Sequence, residues 1–361
     1  MVRISLPTKQ ISYDIHIRAG VLNELGEIVM QLAPHKQCAL MADSVVFDLY
    51  GKKLKENLSA AGYEVTSQTL PSGEDHKNLE TVSNLYNTLL DKRFERKSPV
   101  IALGGGVAGD TVGFVASTYL RGVPFIQVPT TLLSMVDASV GGKVGVNVPQ
   151  GKNLVGSFYQ PHAVIIDPEV LGSLPEREFR AGLAECIKHG VLGDKELFEW
   201  TEKNLDKVLS KDTETIIPFL EKNVSLKAKV VMEDEKEQGV RALLNFGHTF
   251  AHAIEATSGY GVILHGEAVA LGMIAASKLA VDIGLSETSV LDKVKDLVNR
   301  AGLPVSAKLA ETEDLMSAMA HDKKVKDGKL RLVLPKQIGE CIIKDDVPTQ
   351  KVSDAWKEIR Q

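Results

Sequence analysis

Three histidines lie close together in the segment from Asn245 to Glu267, which reads NFGHTFAHAIEATSGYGVILHGE. His248 and His252 are four residues apart, so on a helix they would share one face. His265 follows a glycine-containing turn that could bring it back toward them. Imidazole nitrogens are common ligands of zinc and similar ions. A lone histidine is more often a core or capping residue, but three of the nine histidines of the chain in one segment favour a metal site.

A run of glycines follows the apolar segment Pro99–Leu103, which has the character of a buried strand. Gly104, Gly106 and Gly109 match the pattern GxGxxG, and the sequence beyond them predicts a helix beginning near Asp110. Glycines at such a turn let backbone amides approach a pyrophosphate, whose negative charge is favoured at a helix N-terminus. A tight turn alone would need fewer glycines, so the pattern favours dinucleotide binding.

The acidic residue that usually binds the adenosine ribose, about 20 residues after the glycine motif, has no clear counterpart in this sequence. The predicted strand Ile126–Val128 leads instead into Thr130 and Thr131, whose hydroxyls suit phosphate or ribose contacts. Asp43, at the end of an earlier predicted strand, is a better-placed acid. We therefore expect the nucleotide to lie across several loops and strand ends.

A second glycine-rich stretch, between Val140 and Asn153, carries Lys143 and Lys152 in predicted loops. Lysine is a compact binder of phosphate and carboxylate groups. A single lysine is usually a solvated surface charge, but two lysines in glycine-punctuated loops beside a nucleotide turn indicate anion binding.

The elements that position these residues alternate in the first half of the chain. Short apolar runs predict strands, and the amphipathic stretches between them predict helices. The predicted strands are 14–17, 38–43, 63–70 and 99–103, and the predicted helices are 20–32, 50–61 and 78–92. This alternation predicts a Rossmann-like α/β domain, with a mostly parallel sheet and helices on both faces.

The pattern changes at about Pro175, where long helical patterns replace the strand-like runs. The predicted helices are 176–192, 195–209, 214–235, 241–257 and 267–282. Proline disfavours helix in the residue before it and fits the first helical turn, so the predicted boundary lies between Leu174 and Pro175. We predict an α/β domain over residues 1–174 and an all-helical domain over residues 175–361.

The composition is that of a soluble globular enzyme. The chain has 361 residues, of which 44% are hydrophobic and 25% charged, and one core rarely serves more than about 250–300 residues. The net charge of −5 gives no general attraction to nucleic acid or to an anionic membrane. An anionic substrate would therefore need a local cluster of lysines and arginines.

Cysteine usage and hydropathy indicate the compartment. Cys38, Cys186 and Cys341 are far apart and lack metal-binding spacing, which predicts reduced thiols. No signal segment opens the chain, and no apolar run approaches the roughly 18–20 residues that span a bilayer. We expect a cytoplasmic protein.

Several long motifs carry a more specific signal than any single fingerprint. They read SGEDHK from Ser72, GGGVAGDTVGFVASTYLRG from Gly104, VPTTLLSMVDASVGGKVGVN from Val128, GKNLVGSFYQP from Gly151, AECIKHG from Ala184, LNFGHTFAHAIE from Leu244 and LHGEAVALGM from Leu264. In these motifs, over nearly its whole length, the chain resembles the 3-dehydroquinate synthase family of the sugar phosphate cyclase superfamily.

The resemblance implies a fold, an assembly and a reaction. Members have an NAD-binding α/β domain, a helical metal- and substrate-binding domain, an active site in the cleft, and commonly a homodimeric assembly. They convert 3-deoxy-D-arabino-heptulosonate 7-phosphate to 3-dehydroquinate and phosphate, the second step of the shikimate pathway, with NAD+ and zinc or cobalt. The implied steps are oxidation at C5, β-elimination of phosphate, re-reduction, ring opening and aldol closure.

The resemblance also implies the metal ligands, which are Glu185, His248 and His265. It therefore separates His252 from His248 and makes His252 a neighbouring active-site residue. Two imidazoles and one carboxylate leave positions on a metal open for substrate oxygens.

The implied substrate-binding and catalytic residues carry a charge or a hydrogen-bonding group. They are Lys143, Lys152, Asn153, Lys188, Lys227, Arg241, Asn245, His252 and Arg121, and Arg121 could act across a dimer. A further lysine is expected from Lys323 or Lys324. The implied NAD contacts are Asp43, Glu74, Lys77, Gly105, Gly106, Val107, Asp110, Thr130, Thr131, Asp137, Lys143 and Lys152.

Three other functions stay open. Another sugar phosphate cyclase would use the same NAD and metal on a different phosphorylated sugar, although GKNLVGSFYQP resembles the dehydroquinate branch. A metal-dependent polyol dehydrogenase would have little use for so many lysines. A nucleotide-binding regulator without activity would be expected to lack some metal ligands or lysines, and none is missing.

Four conspicuous residues receive structural interpretations. His16, His35 and His162 lie outside the matching motifs and are predicted to be surface residues. Cys186, although it adjoins a predicted metal ligand, is predicted to pack within its helix.

Overall fold

The computed structural model describes residues 2–8, 11–259, 261–320, 325–326 and 329–361. The chain divides into two compact units. The first comprises Met1–Leu174 and Ile216–Glu235, and the second comprises Pro175–Thr215 and Lys236–Gln361. The division after Leu174 falls at the predicted boundary, whereas Ile216–Glu235, which the sequence assigned to the second domain, groups with the first unit.

The first unit contains a seven-stranded sheet. Its strands are β1 (Val2–Pro7), β2 (Ser12–Ile17), β3 (Gln37–Asp43), β4 (Glu64–Leu70), β5 (Val100–Gly104), β6 (Phe125–Pro129) and β9 (Ala163–Ile166). They lie in the order β1-β2-β9-β6-β5-β3-β4, and every pair is parallel except β1 with β2. Strands β5, β6 and β9 are buried throughout, as expected for the centre of a parallel sheet. The predicted parallel sheet is confirmed.

Helices follow the strands of this sheet. They are α1 (Leu25–Leu32), α2 (Ser44–Val46), α3 (Lys52–Ala60), α4 (Leu79–Asp91) and α5 (Gly106–Thr118). A π-helical turn over Phe47–Gly51 joins α2 to α3. Helix α5 begins at Gly106 rather than near Asp110, so part of the glycine motif lies inside its first turn.

A hairpin replaces the loops predicted around Lys143 and Lys152. Strands β7 (Lys143–Val148) and β8 (Gly151–Phe158) pair antiparallel and place these lysines on strands. Val144 and Val146 are buried in the core that also contains residues of α4 and α5. The prediction was wrong because the glycines in this stretch were taken as loop residues. A Cβ at Gly156 would lie 2.3 Å from the carbonyl oxygen of Val144, so glycine is needed for the strands to approach.

The second unit is mainly helical. Its helices are α6 (Glu176–Gly193), α7 (Lys195–Leu209), α9 (His248–Ser258), α10 (His265–Asp282), α11 (Thr288–Arg300), α12 (Thr312–Ala320) and α13 (Thr349–Trp356), and α8 (Thr213–Glu233) lies mostly in the first unit. The unit also contains short strand pairs that the sequence did not predict. They are β10 (Val325–Lys326) with β11 (Lys329–Leu330), and β12 (Leu332–Gln337) with β13 (Glu340–Lys344).

The predicted helix over 241–257 is interrupted. A 3-10 turn covers Val240–Asn245, and α9 begins at His248 after Gly247, which has a φ of 78°. This left-handed backbone favours glycine. The interruption places His248 at the first position of a new helix.

Helix α10 is buried along most of its length and approaches two neighbouring backbones closely. A Cβ at Gly266 would lie 1.9 Å from the carbonyl oxygen of Ala181 in α6, and one at Gly272 would lie 2.1 Å from that of Gly247. Gly266 therefore lets the first turn of α10 approach α6, and Gly272 lets the middle of α10 approach the residue before α9.

None of the described helices is long and apolar enough to cross a membrane. The three cysteines are buried and form no disulfide.

We expect Gly266→Ala to lower the free energy of unfolding by about 1–3 kcal/mol, because the added methyl group forces α10 away from α6. Urea denaturation followed by circular dichroism measures this change. Gly172→Ala is the control, since a Cβ there meets no heavy atom within 4 Å. Wild-type stability of the Gly266 variant would contradict the proposed close approach.

Candidate active site

Three helices of the second unit bring together the three predicted metal ligands. Glu185 lies within α6, His248 is the first residue of α9, and His265 is the first residue of α10. Glu185 Oε1 is 3.6 Å from Nε2 of His248 and 3.6 Å from Nε2 of His265. All three ligand atoms lie within 4.8 Å of one another. The separations from Glu185 are too long for hydrogen bonds and suit a shared ion with bonds of about 2.0–2.2 Å.

Glu185 carries a negative charge inside the protein. Only 1% of the residue is exposed, and neither carboxylate oxygen has a hydrogen bond of good geometry within the described residues. Lys188 forms an ion pair with Oε2. Burial alone would raise the pKa of Glu185, but the charges of Lys188 and His265 hold it well below its usual range. The ionised carboxylate with unmet hydrogen-bonding capacity fits a metal cation.

The other ring nitrogen of each histidine ligand has an oxygen partner. Nδ1 of His248 lies 3.1 Å from the carbonyl oxygen of Phe246, and Nδ1 of His265 lies 3.4 Å from Glu255 Oε2. Burial disfavours protonation of His265, but Glu185 and Glu255 outweigh it and raise the pKa of His265 to about 10. The local electrostatics therefore favour a positive charge at this position, as a divalent ion would supply.

His252 lies beside this cluster on α9. Its ring meets that of His248 edge to face with centroids 5.8 Å apart. Within the described part of the chain, the group that could hold a metal through His248 contains Glu185 and His265 but not His252. Four-residue spacing puts His248 and His252 on one helix face but says nothing about a carboxylate on another helix, so the ligand set Glu185, His248 and His265 that the resemblance implies stays the prediction.

The glycine motif, called the glycine cradle below, lies at the carboxyl end of β5, next to the end of β6. Gly104 has a φ of 154°, and a Cβ there would lie 2.7 Å from Cβ of Ala108. Gly105 is the N-cap residue of α5 and, having no side chain, does not cap the amides of Gly106 and Val107. These features fit a pyrophosphate, which binds backbone amides at a helix N-terminus.

Thr130 lies at the end of β6 and donates its backbone amide to the carbonyl of Gly104 over 2.9 Å. Its side-chain hydroxyl is buried and has no hydrogen-bond partner within the described residues. Such a group is costly unless a ligand satisfies it. At the carboxyl end of β3, which pairs with β5, Asp43 accepts hydrogen bonds from the amide of Val45 at 2.9 Å and the hydroxyl of Ser72 at 2.6 Å. Thr131 instead bonds Ser134 through its hydroxyl at 2.9 Å.

Four of the predicted residues form a continuous polar network in the first unit. Lys77 Nζ lies 2.5 Å from Asp110 Oδ2 and donates a hydrogen bond to Asn153 Oδ1 at 2.6 Å. Burial disfavours the charge of Lys77, but Asp110 and Glu74 outweigh it and raise the pKa of the lysine. Lys77 is therefore protonated.

Asn147, on β7, extends this network and was missed by the sequence analysis. Its amide nitrogen donates to Glu74 Oε1 at 2.8 Å, and its amide oxygen accepts from the backbone amide of Asn153 at 2.9 Å. Asn153 has a φ of 52°, an unusual conformation for a residue other than glycine. Asn147 thus holds Asn153 in place. The signal that could have found it is its position in the glycine-rich stretch between Val140 and Asn153, at the end of the motif VPTTLLSMVDASVGGKVGVN.

The remaining predicted residues have different surroundings. Lys227, on α8, is buried and lies 2.5 Å from Asp137 Oδ1. Arg241 is buried in the 3-10 turn before α9, and Asn245 donates a hydrogen bond to Glu237 at 2.9 Å. Lys143 and Arg121 are exposed, whereas Lys152 is half-buried.

Lys323 and Lys324 lie outside the described residues. The structure corrects one further expectation, because His16 is buried and His35 and His162 are half-buried rather than on the surface. Cys186 is buried with its Sγ 3.6 Å from the carbonyl oxygen of Gly182, one turn earlier in α6.

Comparison with known proteins identifies the family. Residues 67–181 match the family described as 3-dehydroquinate synthase N-terminal, and residues 182–325 match 3-dehydroquinate synthase C-terminal. The 3-dehydroquinate synthase of Crocosphaera subtropica is 46% identical over 100% of this chain and 99% of its own. That of Desulforamulus reducens is 48% identical over 93% of this chain and 94% of its own.

The chain belongs to the 3-dehydroquinate synthase family. Solved structures of related enzymes are also similar to this chain over nearly its whole length. 2-epi-5-epi-valiolone synthase from Streptomyces hygroscopicus, with NAD+ and Zn2+ bound, has a TM-score of 0.89 and 30% identity over 97% of both chains. A 2-deoxy-scyllo-inosose synthase complexed with carbaglucose-6-phosphate, NAD+ and Co2+ has a TM-score of 0.89 and 27% identity over 99% of this chain and 100% of its own.

We expect His265→Ala and His248→Ala to lose bound metal on gel filtration, because each removes an imidazole from a three-residue donor set. Elemental analysis of the eluted protein gives the metal content per chain. His252→Ala is the matched control, since it removes a neighbouring imidazole but is expected to retain the ion. Equal metal loss in His252→Ala and His265→Ala would contradict the ligand assignment.

Thr130→Val should weaken NAD+ binding about tenfold, which corresponds to one lost hydrogen bond of about 1.4 kcal/mol. Isothermal titration calorimetry measures the dissociation constant. Thr111→Val is the control, because Thr111 in α5 also has a buried hydroxyl without a hydrogen-bond partner within the described residues. Similar weakening by the two substitutions would mean that the Thr130 hydroxyl does not contact the cofactor.

Proposed function

We propose that this chain is a 3-dehydroquinate synthase, a carbon–oxygen lyase that converts 3-deoxy-D-arabino-heptulosonate 7-phosphate to 3-dehydroquinate and phosphate. The observation that carries the proposal is the convergence of Glu185, His248 and His265, in a chain of this family, with Nε2 atoms 3.6 Å from one carboxylate oxygen. The shikimate pathway is the corresponding route, and NAD+ and zinc or cobalt are the corresponding cofactors.

The two units have complementary roles in this proposal. The first binds NAD through the glycine cradle, Thr130 and the network around Lys77, and the second holds the metal. When bound, NAD+ supplies a hydride acceptor for C5 of the substrate, and the metal polarises adjacent hydroxyl groups. The residues of the chain supply binding, orientation and charge.

The basic residues offset the negative charge of the substrate. We assign phosphate or carboxylate binding to Lys152, Asn153, Arg241, Asn245 and Arg121, and contacts with the sugar acid to Lys143, Lys188 and Lys227. Lys227 and Lys188 are buried beside the carboxylates of Asp137 and Glu185, so their ammonium groups are held in fixed positions. Fixed charges stabilise a developing anion without reorganisation during the reaction.

The elimination step requires a base for the proton at C6. Once C5 is a ketone, that proton is acidified, and the substrate phosphate takes it as the bond between C7 and the phosphate oxygen breaks. The return of hydride to C5 leaves no net oxidation. Ring opening and an intramolecular aldol addition then form the carbocycle.

The comparisons support this substrate over the alternatives. The two 3-dehydroquinate synthases named above are 46% and 48% identical to this chain, whereas the valiolone and inosose synthases are 30% and 27% identical. A glycerol dehydrogenase from Sinorhizobium meliloti has 17% identity and a TM-score of 0.62, which shows a common fold only.

Assembly and location complete the proposal. We infer a homodimer in the cytoplasm on the basis of the family resemblance. Arg121 is exposed, so its side chain is accessible to a second subunit.

We expect the zinc-loaded protein with catalytic NAD+ to release phosphate and 3-dehydroquinate in equal amounts from the heptulosonate phosphate. No NADH should accumulate, because the hydride returns within each turnover. Phosphate assay, chromatography of the product and absorbance of NADH follow the three species together.

Parallel reactions with glucose 6-phosphate and glycerol distinguish the rival functions. Turnover of glucose 6-phosphate in preference to the sugar acid would indicate another cyclase, and NADH formed in proportion to glycerol would indicate a polyol dehydrogenase. Phosphate release without 3-dehydroquinate would also contradict the proposal.

A further inference from the structure

Glu255 is a buried carboxylate on α9 that the sequence analysis did not single out. It lies seven residues after His248, which is about two helical turns, so both side chains lie on the same side of α9. Only 8% of Glu255 is exposed. Its Oε2 is 3.4 Å from Nδ1 of His265, a residue on the next helix.

The contact determines which nitrogen of His265 carries its proton. A carboxylate accepts a hydrogen bond but cannot donate one when ionised, so Nδ1 of His265 must be the donor. In the neutral ring, Nε2 is then the unprotonated nitrogen with its lone pair available, and it is Nε2 that lies 3.6 Å from Glu185. The ring is therefore prepared to bind a cation through Nε2.

The two histidine ligands are oriented by different groups. Nδ1 of His248 donates to the backbone carbonyl of Phe246 at 3.1 Å, whereas the partner of His265 is an ionic side chain. A carboxylate increases the basicity of the imidazole more than a neutral carbonyl does, and it also adds negative charge near the ion.

We propose that Glu255 is a positioning residue that fixes the tautomer and orientation of His265 and thereby strengthens metal binding. The proposal rests on the proposed function only in that Glu185, His248 and His265 are the ligands of a divalent metal ion. It assigns Glu255 no direct contact with substrate or metal.

The test uses the full-length protein and measures zinc binding apart from catalysis. We expect Glu255→Gln to weaken zinc binding 10- to 100-fold in competition with a chromophoric chelator, because the amide lacks the charge of the carboxylate. Glu255→Ala should weaken it at least as much. Turnover by Glu255→Gln should approach the wild-type rate at saturating zinc, because the residue acts through metal occupancy.

The cobalt-substituted protein provides a spectroscopic signature. Loss of the Nδ1 partner should alter the visible absorption bands of Co2+ in Glu255→Gln, since the His265 ring is less firmly oriented. Glu178→Gln is the matched control: it removes one negative charge from α6, on which Glu185 also lies, but Glu178 is an exposed residue in the first turn of that helix. This control should leave zinc affinity and cobalt absorption unchanged.

Wild-type zinc affinity in both Glu255 variants would overturn the proposal. So would equal weakening in Glu178→Gln, which would show a general charge effect. Circular dichroism of each variant shows that it is folded, and Glu255→Gln preserves the size of the side chain. If the wild-type protein binds zinc tightly but fails to convert the heptulosonate phosphate, the proposed function fails while the assignment of Glu255 can still be judged from zinc affinity.

Discussion

The buried negative charge of Glu185 is the constraint on which the rest of the second unit depends. An ionised carboxylate in the protein interior is costly unless other charges compensate it. Lys188 provides one charge from the same helix, and the Nε2 atoms of His248 and His265 face the opposite oxygen. A divalent ion among these atoms would complete the compensation, so the same arrangement stabilises the fold and creates the candidate site.

The backbone around this carboxylate is shaped to deliver the two imidazoles. Gly247 adopts a left-handed conformation that ends one helical segment and allows α9 to begin at His248. Gly266 permits the first turn of α10 to approach the carbonyl of Ala181 in α6. Both histidines are thus the first residues of their helices. Each is placed by an adjacent glycine, because a larger residue at Gly247 or Gly266 would collide with the neighbouring helix. The first unit needs glycine similarly at Gly104, where a Cβ would lie 2.7 Å from Cβ of Ala108.

The sequence predicted elements with strong periodicity better than sites made by distant segments. Helix α7 begins and ends where the pattern placed it, at Lys195 and Leu209. The β7–β8 hairpin was missed because its glycines serve close strand approach rather than loops. Residue spacing pairs His248 with His252, because it describes neighbours on one helix only. It gives no information about Glu185, which lies on α6. The family motifs supplied Glu185. Asn147 and Glu255 also lie within those motifs, but their contacts with Asn153 and His265 become visible only in three dimensions.

We infer that one metal ion is bound by Glu185 together with the imidazoles of His248 and His265. X-ray absorption spectroscopy at the zinc edge, on protein reconstituted with one equivalent of zinc, counts the imidazoles in the first coordination shell most directly. We expect two imidazole nitrogens, with oxygen atoms as the other ligands. A shell with three imidazoles, as His252 would produce, or with none, would contradict it.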